Sequence, residues 1–226
     1  MVKLLLIFII FGAQLVWSAN LELPAVAVHD SPDLRLWGWS PDGKVAYSTD
    51  YTDNAPRVHM TFAVFDAVTD DVIFQFVVRS DELGDSVAVP DATIALYNKA
   101  MPVILFALKH FDIRENKSAL MQFPLKRNGV SYEAIVADVK YPADEDALEE
   151  YTVLINATGE NAKKTQKIVS REDYSNFEYS FVYSAEVRGY FLSPFEHRIL
   201  LVVVEQIPNH DIKYRLYGSH LGVGFK

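Results

Sequence analysis

The sequence predicts an α+β fold, mainly antiparallel β hairpins around one kinked central helix. Three observations carry that prediction. Apolar and polar residues alternate at period two through most of the chain. Turn-forming residues cut this alternation into paired segments. A single stretch, Asp91 to Phe111, changes to the three- and four-residue steps of a helix.

The first pair is Leu34 to Trp39 and Lys44 to Thr49, joined by Ser40-Pro41-Asp42-Gly43. Pro41 pre-sets φ, Asp42 can hydrogen-bond its own backbone and Gly43 accepts positive φ, so the four residues specify a turn. Val58 to Phe65 and Val72 to Val78 flank a second turn at Thr69-Asp70-Asp71. In the helical stretch Ile94, Tyr97, Met101, Leu105, Leu108 and Phe111 form one stripe. Asp91 is the expected N-cap, and Pro102 should kink the helix or split it in two. Strand signals resume after Leu125 with Val130 to Val139. Pro142 to Glu150 reads as an acidic helical turn, and Thr152 to Asn156 and Thr165 to Val169 as a further pair. Phe177, Tyr179, Phe181 and Tyr183 occupy alternate places, which puts all four on one face of a strand. Ile199 to Val204 and Ile212 to Tyr217 should pair around Pro208-Asn209. No linker or low-complexity tract divides the chain, which reads as one mostly-β domain over residues 19–226.

Residues 1–18 read as a cleavable secretory signal peptide. Lys3 supplies the positive start, and Leu4 to Trp17 an apolar run too short for a membrane span, which needs about 20 residues. Cleavage between Ser18 and Ala19 leaves Ser18 and Val16 at the two positions where the peptidase wants small residues; one residue later, bulky Trp17 would occupy one of them. The expected location is therefore periplasmic or secreted, with no stable membrane insertion once the signal is removed. With no cysteine, neither a disulfide framework nor lipid attachment through an N-terminal cysteine is available. A net charge of −9 argues against nucleic acid and against anionic lipid surfaces, both of which need clustered Lys and Arg.

Two segments echo each other: Trp37-Gly38-Trp39-Ser40-Pro41-Asp42-Gly43-Lys44-Val45 and Tyr190-Phe191-Leu192-Ser193-Pro194-Phe195-Glu196-His197-Arg198-Ile199. Each has aromatics, Ser-Pro, a short polar turn, a basic residue and an apolar strand. The first copy resembles the Ser-Pro-Asp-Gly hairpin of TolB-like β-propeller repeats. A propeller would place such copies about 40 residues apart; these are much farther apart, so a complete propeller is not expected. With Asp91 to Ile113 as a helix between them, the arrangement also resembles a family of bacterial predicted secreted proteins of unknown function. That resemblance implies a secreted domain and supplies no catalytic residue.

No constellation specifies chemistry. His29, His59, His110, His197, His210 and His220 lack paired metal-ligand spacing. Ser40 lacks the Gly-x-Ser-x-Gly spacing of a nucleophile elbow. Gly218, Gly222 and Gly224 are followed by no helix that could cradle a phosphate. Asp144, Glu145, Asp146, Glu149 and Glu150 read as a solvated run, as do Asp50 and Asp53. No catalytic, cofactor-binding or metal-ligating residue is assigned, and no cofactor is expected. The candidate binding face is Phe177, Tyr179, Phe181 and Tyr183, which could stack on sugars or dock a partner if exposed. The expected function is that of an exported, non-enzymatic protein binding an envelope or extracellular partner. The alternatives are an exported hydrolase with a site built from scattered Asp, Glu and His, and a small outer-membrane β-barrel.

Overall fold

The structure is a computed structural model that describes residues 26–28, 33–52, 58–83, 89–116, 118–141, 148, 150–159, 162–171, 182–206 and 212–225. Its strands form three antiparallel sheets and its α-helical residues one helix, as the alternation and the single helical stretch predict. The first sheet runs in the order β1 (Val26–Val28), β2 (Asp33–Trp39), β3 (Lys44–Thr52), β4 (Val58–Asp66) and β5 (Asp71–Arg79). The helix α1 (Val89–His110) follows, and β6 (Arg114–Glu115) then returns to pair with β2. The second sheet is β7 (Leu125–Arg127), β8 (Val130–Lys140), β9 (Glu150–Gly159) and β10 (Ala162–Arg171). The third is β11 (Ser184–Leu192), β12 (Arg198–Gln206) and β13 (Ile212–His220). None of the three sheets closes on itself among the described residues.

Three apolar cores order these elements into four layers. Ala92, Leu96, Tyr97, Ala100, Ile104 and Ala107 of α1 pack on Met60, Phe62 and Val64 of β4. The other face of the first sheet, with Leu34, Leu36, Trp39 and Val45, packs on Phe191, Leu200, Val202 and Leu216 of the third sheet. Tyr190, Ile199, Leu201, Val203 and Tyr217, on that sheet's opposite face, pack on Tyr151, Val153 and Ile155 of the second. The order is therefore helix, first sheet, third sheet, second sheet. Period-two alternation sends successive side chains of β12 into two different cores. Covered on both sides, β12 is buried at every position from Ile199 to Glu205.

The helix departs from expectation in one respect: α1 runs unbroken through Pro102. Pro102 and Asn98, whose carbonyl would have accepted the missing N–H, both lie on the exposed side, where water can take the place of that bond. Asp112 closes the helix at φ 49°, with Ile113 N–H donating to the Leu108 carbonyl at 2.8 Å, the pattern of a left-handed C-cap. By length and composition α1 could cross a membrane, but its buried stripe fixes it on the first sheet. Strand β9 begins at Glu150, so that residue belongs to a sheet rather than to a helical turn. Asp50 likewise lies within β3, not in a loop after it.

Candidate functional site

The two Ser-Pro hairpins lie in different sheets that face each other, and their turns meet at one end of the molecule. In the first, Ser40 N–H donates to the Lys44 carbonyl at 2.8 Å, while the Ser40 hydroxyl accepts from Lys44 N–H at 2.8 Å and donates to Asp42 at 2.5 Å. The Lys44 ammonium pairs with Asp42. Gly43, at φ 88°, sits where an added Cβ would lie 3.0 Å from Glu196 Oε1 in the other turn. There Ser193 accepts from Phe195 and Glu196 N–H, and Arg198 donates to Glu196 at 2.7 Å. Arg198 also reaches across the layers to the Ala67 carbonyl at 2.7 Å. Ser40 is thus a turn-closing residue.

Two buried polar networks, which no motif announced, hold neighbouring layers together. Between α1 and the first sheet, Trp37 donates to Ser48 at 2.9 Å, Ser48 and Tyr97 hydroxyls lie 2.8 Å apart, and Tyr97 donates to Asp50 at 3.0 Å. Arg35 donates to the same Asp50 oxygen at 3.2 Å. The hydroxyl protons can all be ordered towards one carboxylate, so each group is satisfied. Burial, with the Asp50 charge adding to it, holds the Tyr97 hydroxyl well above the usual phenol range. That makes Tyr97 a donor and a poor base. The signal in the sequence was Arg35 and Trp37 on one face of β2, with Ser48 and Asp50 on one face of β3, beneath a helix that carries Tyr97.

The second network joins the third and second sheets. Tyr151 donates to Glu205 at 2.7 Å, the Tyr151 and Tyr217 hydroxyls are 3.1 Å apart, and Arg215 donates to the other Glu205 oxygen at 3.1 Å. Burial pushes both the Glu205 carboxyl and the Tyr151 hydroxyl upward, while Tyr151 and Lys213 pull Glu205 back down. Both networks are built as fixed interlayer contacts. Removing one member of either leaves a buried charge or dipole uncompensated.

Of the residues picked out from the sequence, Ser18, Ala19, Phe177, Tyr179 and Phe181 lie outside the described residues. Tyr183 is 43% exposed, outside any strand, its N–H bonded to the Gln206 carbonyl. His110 stacks on Phe106, and His220 accepts from Gly222 N–H. Among the described residues, no group of three or more His, Asp or Glu is placed to hold a metal. Gly218 serves packing: a Cβ there would lie 1.8 Å from the Ala67 carbonyl, and its N–H bonds Asp70 at 2.6 Å.

The surface feature that stands out is the outermost layer. On α1, Ile94, Leu105 and Phe106 face solvent, Phe106 at 64% exposure. On β5, Val72, Ile73 and Val77 do the same. No known family, curated protein or solved structure matches the chain.

Proposed function

We propose that this chain is an exported, non-enzymatic protein that binds a partner in the cell envelope or outside the cell through the outer face of α1. One observation carries the binding half of this reading. Ile94, Leu105 and Phe106 stand exposed on the helix, whereas the large apolar groups facing the three cores are covered. Clustered exposed apolar side chains on a folded surface mark sites of association. The buried carboxylates, Asp50 and Glu205, are engaged in interlayer bonds and so serve the fold. The export half rests on the signal-like residues 1–18 and on the absence of cysteine.

Each half has its own test. Mass spectrometry on fractionated cells should find a mature protein beginning at Ala19 in the soluble exported fraction; full-length protein in the membrane fraction would overturn export. A photo-reactive amino acid at Phe106 should give a discrete cross-linked adduct in those cells. The same probe at Lys126, on the second sheet, should not, and equal labelling at both places would remove the case for a binding face.

A further inference from the structure

The geometry points to self-association of this chain through the edge of the first sheet, with two β5 strands pairing antiparallel across a two-fold axis at Gln75. The occupant of that edge is a second copy. The inference rests on the reading of the outer layer as a binding surface, but concerns the strand edge and not the helix face.

β5 ends the strand order of the first sheet and is bonded on one side, to β4. It is nine residues long, and its sequence, Asp-Val-Ile-Phe-Gln-Phe-Val-Val-Arg, contains no proline or lysine. An edge strand of that length and β propensity leaves a row of backbone donors and acceptors ready for another strand. Val72, Ile73 and Val77 are exposed along it, and so is Val68 in the turn before it. This is the largest run of exposed apolar side chains among the strands.

The sequence of β5 is complementary to itself when reversed, and this selects a second copy over an unrelated strand. With Gln75 opposite Gln75, exposed Asp71 at one end comes opposite exposed Arg79 of the second copy, and the two-fold axis makes that pair twice. Val77 comes opposite the Val72–Ile73 step, where the register to β4 shifts and both side chains crowd one place. Phe74 comes opposite Phe76 on the helix side, where each is already half-buried in the core beneath α1. The pairing would join two first sheets into one continuous sheet. Parallel pairing in the same register would set Asp71 against Asp71 and Arg79 against Arg79, and is disfavoured.

The test uses the mature full-length chain in sedimentation-velocity runs across a wide concentration range. The expected result is a concentration-dependent dimer. Arg79→Asp or Asp71→Arg alone should weaken it by about tenfold, since each sets like charges opposite each other twice. The double variant D71R/R79D, which restores opposite charges, should recover most of the loss. Val77→Lys should give a monomer with an unchanged melting temperature, because residue 77 is solvent-exposed. A wild type that is monomeric throughout, a dimer that survives Val77→Lys, or a double variant no better than the singles would each overturn the pairing. Such a failure is distinct from failure of the binding reading, which would appear as loss of the Phe106 adduct in a chain that still dimerises.

Discussion

The two Ser-Pro hairpins use the same local device in different surroundings. Each places an acid two residues before a base at the turn, Asp42 and Lys44 in one and Glu196 and Arg198 in the other. Each first strand also carries a glycine at a register shift, Gly38 in β2 and Gly189 in β11, where a neighbouring backbone comes very close. The difference lies in what the base touches. The Asp42 side chain is 65% exposed, so the first pair closes only its own turn. Arg198 is largely buried and ends on the Ala67 carbonyl of the facing sheet. One chemistry thus gives a local clasp in one place and an interlayer tie in the other, and burial decides which.

The sharpest way to break the comparison is to empty the core that both hairpins share. Trp39→Ala and Phe191→Ala should each cost about 3–5 kcal/mol in urea unfolding, the range for large buried aromatics. Because Trp39 and Phe191 belong to one core, the double variant should fall short of the sum. Next come the glycines. A Cβ at Gly38 would lie 2.1 Å from the Arg114 carbonyl, and one at Gly189 would lie 2.4 Å from that of Met121. Gly38→Ala and Gly189→Ala should therefore each destabilise by about 1–3 kcal/mol, the cost of forcing extra volume into a packed site. If either is neutral, the close approach at that hairpin is not a constraint.

The bases separate the two hairpins. Arg198→Met should cost about 1.5–3 kcal/mol, as it strands a carbonyl between sheets. Lys44→Met should stay within about 1 kcal/mol, as expected for a surface pair. Equal costs would mean the two turns do the same work. The smallest effect concerns protons. Hydrogen bonds from Lys44 first, and then Ser40, hold the Asp42 carboxyl below the usual aspartate range. A carboxyl lowered in the folded state lends stability above its unfolded value, and this is lost as pH falls through the folded one. An NMR titration of Asp42 should move upward in Lys44→Met, and stay put in Arg198→Met.

The strand pairs and the helix were readable because each is written within a few neighbouring residues. Pro41, Asp42 and Gly43 specify one turn, and the stripe through Tyr97 specifies α1. The layer order was not readable, since it depends on contacts between segments far apart in the chain. The run Ile199 to Val204 hinted at it: a strand apolar at successive positions is one covered on both faces. Asp50 shows the same limit. Next to Tyr51 and Asp53 it looks like a loop carboxylate, and only the arrival of Arg35 and Tyr97 makes it an interior anchor. The candidate surface was hidden for the converse reason. Ile73 and Val77 have the composition of core residues, and what leaves them exposed is the absence of a third-sheet strand over that edge among the described residues.

The position of the third sheet has a consequence for how the chain reaches its final state. It is made last, yet it fills the space between the two sheets made before it. Until β12 has been synthesised, neither earlier sheet has a surface to close against, so nascent chain must wait with both apolar faces open. Such an order gives slow, late and all-at-once closure, since widely separated segments must meet before any layer is rewarded. A chain truncated before Arg198 should be digested readily by proteases throughout, not only at its new end. For a protein sent through a translocation channel, which admits extended chains, that delay would be an asset: its last strands keep the rest threadable until passage is complete.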